Sequence, residues 1–270
     1  MALTIRDGVY LCGQTGSGTV KVTGFTGRKR VLEIPGSLFG SRVTAIDADA
    51  FADHESILRV EIPDGVTEIM WYAFLGCSSL TSIKIPDGVT QIGDSAFSSC
   101  SSLTSIEISN HVTTIWARAF WGCTSLSSIK IPDSVTVIGS YAFRGCTSLT
   151  SIKIPDSVTT IGKGTFYGCT RLASIKIPNS VTWIGWDAFR GCTSLTSIMI
   201  PSSVTKIEEY AFWGCSSLKE IYLKHQNPVD FSRAFNAIDK PNVTIYVPKG
   251  SGEAYRNSEY YKEFKEIIEE

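Results

Sequence analysis

The chain has 270 residues, of which 43% are hydrophobic and 19% charged, with a formal net charge of −1. The composition is globular and contains no low-complexity tract. Near-neutral charge argues against nucleic acid or an anionic membrane as an electrostatic target. No run reaches the ~18 apolar residues of a membrane span.

Residues 1–33 stand apart from the rest. MALTIRDGVYLCG lacks the basic-then-apolar layout of a signal peptide. Val9-Tyr10-Leu11 is a weak strand pattern, Gly18 to Gly24 is a cleaner one, and Gly24 to Gly27 reads as a turn. Together they predict a β-rich N-terminal cap over the first open core face.

Ile34-Pro35 opens an irregular copy of the pattern that follows, with five extra residues within Gly36–Arg42. From Ile62 a 23-residue stretch then recurs in register, beginning at Ile62, Ile85, Ile108, Ile131, Ile154, Ile177 and Ile200. A fixed period in this range marks a solenoid, in which no unit buries its own apolar face and each stacks on its neighbours. With Ile131 as position 1, position 5 is Val, 8 is Ile, 13 is Phe, 16 is Cys, 19 is Leu and 22 is Ile in all seven copies. These columns predict core ladders along the molecule. Leu149-Thr-Ser-Ile152-Lys-Ile154 reads as an inward L-x-x-I-x-I strand that Pro155 ends. Val158 to Ile161 is a second short extended piece, and Gly162 and Gly168 flank a corner.

The pattern I-P-D-S-V-T-x-I-G-x-x-A-F-x-G-C-T-S-L-T-S-I-K resembles the BspA-like leucine-rich repeats of bacterial and protozoan surface proteins. Matches run from about Ile34 to Leu223. The resemblance implies a mainly β, right-handed solenoid with parallel strands and short helical or 3-10 corners. It also implies adhesion or binding to a host or matrix macromolecule, at a cell surface or after secretion. With no signal peptide in the chain, a cytoplasmic setting stays open. The solenoid is expected over residues 34–223.

Residues 224–270 form the C-terminal cap. Val243 to Val247 is a last strand, Ser251 is placed to N-cap a helix, and Tyr255, Tyr260, Tyr261, Phe264 and Ile267-Ile268 give a helical apolar stripe. The cap is therefore expected to be strand plus terminal helix.

The residues give little chemistry to an enzyme. Cys77, Cys100, Cys123, Cys146, Cys169, Cys192 and Cys215 sit at intervals of 23 and Cys12 lies apart, with no clustered C-x-x-C. They read as small buried hydrophobes. The three histidines are scattered, so no Ser/His/Asp arrangement can be drawn. No catalytic residue, metal or cofactor is expected. The Thr column from Thr67 to Thr205 reads as a structural hydroxyl ladder.

Columns 7, 9, 10, 11 and 14 refuse to repeat. Their 35 sites hold all six Trp and four of the ten Tyr of the chain, where even scattering of 16 residues would place about two. Exposed Trp, Tyr and Arg dominate binding hot spots. Trp71, Tyr72, Trp116, Arg118, Trp121, Tyr141, Arg144, Tyr167, Trp183, Trp186, Arg190, Tyr210 and Trp213 are therefore the candidate partner-binding residues. Stacked at ~4.8 Å per repeat they would form a strip roughly 30 Å long, near the scale of a standard protein interface. The sequence favours recognition of a protein partner. It leaves open self-association, glycan binding and a designed or selected repeat binder.

Overall fold

The computed structural model describes residues 2–5, 8–16 and 18–270. They form a mainly β solenoid of about 11 turns. Every full repeat contributes to one parallel ladder, and all but the repeat from Ile108 to Lys130 also to a second. One is built from positions 7 and 8 and runs through Glu68–Ile69, Gln91–Ile92, Thr114–Ile115 and Val137–Ile138. It resumes through Thr160–Ile161, Trp183–Ile184 and Lys206–Ile207. The other is built from positions 21 to 23, as in Ser151–Lys153 beside Ser174–Lys176. This second ladder skips Ser128–Lys130. The break adjoins Ser127, at a column where Thr81, Thr104 and Thr150 each donate a side-chain hydroxyl to the preceding repeat.

Between the ladders the chain turns a corner over positions 9 to 16. The N–H groups of Tyr141, Phe143 and Gly145 donate to the carbonyls of Lys163, Thr165 and Tyr167 in the next repeat, while Ala142 and Arg144 bond within their own. That alternation satisfies the buried backbone without regular secondary structure. It requires left-handed backbone at positions 11 and 15. Position 15 is Gly in most repeats, as at Gly145 with φ +72°.

The core is a set of one-residue ladders. Nine phenylalanines from Phe51 to Phe235 stack with ring centroids 5.1–5.7 Å apart and near-parallel planes. Each ladder thiol donates to the Phe carbonyl one repeat back, as from Cys146 to Phe120 at 3.2 Å. The seven ladder cysteines are buried and form no disulfide, which agrees with their reading as small hydrophobes. The Thr column behaves as a hydroxyl ladder: Thr136 Oγ1 donates to the Thr113 carbonyl at 3.3 Å, and Thr205 to Thr182 in the same way.

At the N-terminal end, Gly8–Gly16 and Thr19–Gly27 pair antiparallel, and the latter continues in parallel onto Ser41–Ile46. Gly24 to Gly27 is therefore strand, not the turn expected from its glycines, because its backbone pairs with Gly8 to Leu11. The residues inserted in the irregular repeat make a tight hairpin, Ser37–Leu38 against Ser41–Arg42. Phe39 and Gly40 at its tip both have positive φ, as a two-residue hairpin turn demands. His54 takes the place of a ladder cysteine, and its Nε2 lies 2.9 Å from the Phe25 carbonyl oxygen.

The C-terminal cap corrects a second expectation. Thr244–Val247 is a strand, but the helix that follows covers only Gly252–Arg256. Ser251 stands at its N-cap without capping it, because its hydroxyl donates to the Pro248 carbonyl. The rest of the apolar stripe turns back and ends in a strand, Glu266–Glu269, parallel to Thr244–Val247. A continued helix would leave that ladder edge unpaired, whereas the last strand satisfies it. Tyr255 and Tyr261 are buried and donate to the carbonyls of His225 and Val229.

Candidate functional site

The variable columns cover one corner of the solenoid and the outward position of the strand that leads into it, and the structure resolves them into three groups. The largest is a row at position 14: Trp121, Arg144, Tyr167, Arg190, Trp213. Each arginine lies between the rings of the repeats before and after it. The Arg144 guanidinium is 4.9 Å from the Trp121 ring and 4.5 Å from the Tyr167 ring. Arg190 is 5.5 Å from Tyr167 and 4.3 Å from Trp213. Arg118 and Tyr141 flank this row, with Arg118 within 6 Å of both Trp121 and Tyr141. These are cation–π distances. These arginines are thus already stacked on the chain's own aromatics, and Arg190 also pairs with Asp187 at 3.2 Å.

The second group is Trp183 and Trp186, edge to face at 6.4 Å. Trp183 Nε1 donates to Glu208 at 3.2 Å, Glu208 pairs with Lys206, and Lys206 reaches over the Trp186 ring at 5.9 Å. The third is a groove of about 500 Å³ with Trp71 and Trp116 among its walls, together with Glu68, Met70, Gln91 and Asp94. Trp116 Nε1 donates to Gln91 Oε1 at 2.9 Å, which fixes its ring. Tyr72 and Tyr210 are exposed, and Tyr210 lies near enough to Arg190 and Asp187 to interact with their charges. The Tyr210 phenol is raised above its ordinary range by its hydrogen bond to Glu209.

Tyr72, Arg118, Tyr141, Asp187 and Tyr210 at position 11 all adopt left-handed backbone, with φ between 54° and 62°. Gly164 fills the same position at φ 57° and carries no steric penalty there. A side chain in that conformation costs roughly 1–2 kcal/mol, so the aromatic and Arg residues are kept against a local cost.

Glu68, Gln91, Asp94, Lys206 and Glu208, with Lys163 over the Tyr141 ring at 5.9 Å, belong to these groups but were not singled out from the sequence. All lie in the same variable columns, and polarity alone gave no reason to choose them. Several of their partners lie about a repeat away in the chain, as Trp116 does from Gln91 and Trp183 from Glu208.

No cluster of three or more His, Cys, Asp or Glu able to hold a metal occurs among the described residues. Ser109 Oγ donates to Asp87 at 2.9 Å and lies 3.3 Å from His111 Nδ1. There the hydroxyl, not the imidazole, sits in the middle, which is the wrong order for activating a nucleophile. No helix among the described residues is long and apolar enough to cross a membrane.

The BspA type leucine-rich repeat region (6 copies) matches residues 37–149 and 136–258. Among solved structures, a leucine-rich repeat protein of T. pallidum is 31% identical over 69% of this chain and 87% of its own, with a TM-score of 0.64. A leucine-rich repeat protein from Bacteroides ovatus is 26% identical over 99% of this chain and 76% of its own, with a TM-score of 0.69. No curated protein matches the chain.

Proposed function

The chain belongs to the BspA-type leucine-rich repeat family, and from that membership we propose that it is a non-enzymatic recognition or adhesion protein. Proteins of this repeat family are generally non-enzymatic, and the fold is typical of protein-interaction scaffolds. The finer reading is that the corner bearing Trp71 to Trp213 docks a protein partner at a cell surface. One observation carries it: a row of alternating aromatics and arginines sits outside the core, half-buried or exposed, held rigid by its own stacking. Preorganised Trp, Tyr and Arg lose little freedom on binding, which favours affinity. Side chains retained in left-handed backbone at position 11 point the same way.

The test is a pull-down of extracellular proteins with the chain and with a variant carrying Trp116→Ser, Trp121→Ser, Trp183→Ser and Trp186→Ser, both checked by circular dichroism. The expected result is a protein partner captured by the first and lost by the second. Equal capture by both folded proteins overturns the reading.

A further inference from the structure

We propose that the groove between Trp71 and Trp116 receives an arginine or lysine side chain from the partner, so that the partner segment docked there is basic. The inference rests on the reading above and names the partner's chemistry at one end of the surface.

The position-14 row shows how this protein fills the space between two rings. Trp121 and Tyr167 lie two repeats apart, and the intervening repeat supplies Arg144 at 4.9 and 4.5 Å from them. Trp71 and Trp116 are also two repeats apart, ~10 Å along the solenoid, one at position 10 and the other at position 9. Here the intervening repeat supplies no cation. It offers Asp94 and Gly93, the latter packed so closely that a Cβ would meet the Met70 backbone at 2.5 Å. Glu68 lines the same groove. Among the described residues neither carboxylate is in an ion pair of this chain.

The other tryptophans are occupied. Trp121 and Trp213 face arginines, Trp186 faces Lys206, and Trp183 packs on Trp186. Trp71 and Trp116 carry no cation of this chain among the described residues, yet are 52% and 46% exposed. Two exposed indoles and two carboxylates without an ion-pair partner, of which Asp94 accepts from Ser95 Oγ at 2.7 Å, make a site complementary to a cation on a flexible stem. A long side-chain cation entering the groove can come within the ~6 Å of an indole centroid that a cation–π contact needs. An anionic segment would meet Glu68 and Asp94 and be repelled.

The experiment titrates the full chain with a labelled, end-blocked hexapeptide of alternating arginine and glycine, read by fluorescence anisotropy near physiological salt. The same peptide with glutamate in place of arginine is the control. Binding of the arginine peptide alone is expected. Trp71→Ser with Trp116→Ser should raise Kd about tenfold. Asp94→Asn and Glu68→Gln, which keep both rings, should each raise it about threefold. Tyr260→Ser, at an exposed position of the C-terminal cap, should leave it within about twofold.

Equal binding by the groove variants, or no binding by the unaltered chain at millimolar peptide, overturns the proposal. So does self-association that the Trp71→Ser, Trp116→Ser pair abolishes without any peptide binding, which would give the groove to a second copy. Partner capture that depends on the aromatic strip while the peptide fails would sink this inference alone. Peptide binding in the groove beside unchanged partner capture would sink the wider reading alone.

Discussion

The thiol ladder should make this protein labile to alkali. Seven cysteines are fully or almost fully buried, each donating to a Phe carbonyl 3.0–3.2 Å away. Loss of solvent pushes Cys77, Cys123, Cys169 and Cys215 up to about 12. The same cause holds Cys100, Cys146 and Cys192 well above the ordinary thiol value of 9.0. In the fold these thiols keep their protons; in the unfolded chain they lose them above pH 9 or so. The unfolded state then binds fewer protons, so stability falls as pH rises. The window opens near the ordinary thiol value and extends to about 12. Between pH 8 and pH 10 the loss is about 1.4 kcal/mol per thiol, about 10 kcal/mol for seven. That rivals the ~5–15 kcal/mol that holds an ordinary domain together. Urea unfolding followed by circular dichroism at pH 8, 9 and 10 measures it directly. The midpoint should fall steeply, with the solenoid largely unfolded by pH 10. Replacing Cys146→Ala and Cys169→Ala should reduce the pH dependence by about 3 kcal/mol, whatever the variant's starting stability. A midpoint that stays flat from pH 8 to pH 10 would refute the reasoning. Tyr10 and Tyr255, raised to about 12 by burial, add a loss of the same sign at higher pH.

Arg144→Gln removes the cation between Trp121 and Tyr167 and should cost about 1–2 kcal/mol. A double-mutant cycle with Trp121→Leu should return a coupling of at least about 0.5 kcal/mol, and none would show the stacking to be idle. Phe143→Ala empties the middle of the aromatic stack, where its ring lies 5.4 and 5.7 Å from its neighbours, and should cost about 3–5 kcal/mol in denaturant titrations. Because coupling in a solenoid runs through nearest neighbours, the two halves are expected to unfold in separate transitions. Gly139→Ala would place its Cβ 2.4 Å from the Ala117 backbone nitrogen. That contact can be relieved only by moving backbone, so thermal melts should show a loss of about 1–3 kcal/mol.

The 23-residue period by itself determined most of the architecture. Once Val135, Ile138, Phe143, Cys146, Leu149 and Ile152 recur in fixed columns, stacking is the arrangement that buries them all, and the Phe and Cys ladders follow. The period also showed where constraint stops, and so which columns carry the surface. Which surface residues meet was decided only in three dimensions. Arg144 finds Trp121 and Tyr167 because each lies one repeat away in space, although both are 23 residues distant in the chain. The left-handed backbone at position 11 further sets where Arg118 and Tyr141 project. For the same reason the sequence did not separate the filled rings of Trp121 and Trp213 from the open ones of Trp71 and Trp116. The C-terminal cap makes the point in reverse. The spacing of Tyr255, Tyr261 and Phe264 fits a helix, but Glu266–Glu269 is drawn into a strand by the unpaired edge of Thr244–Val247. Local periodicity records which side chains share a face, and an open ladder's demand for hydrogen-bond partners exists only once the neighbouring turn is in place.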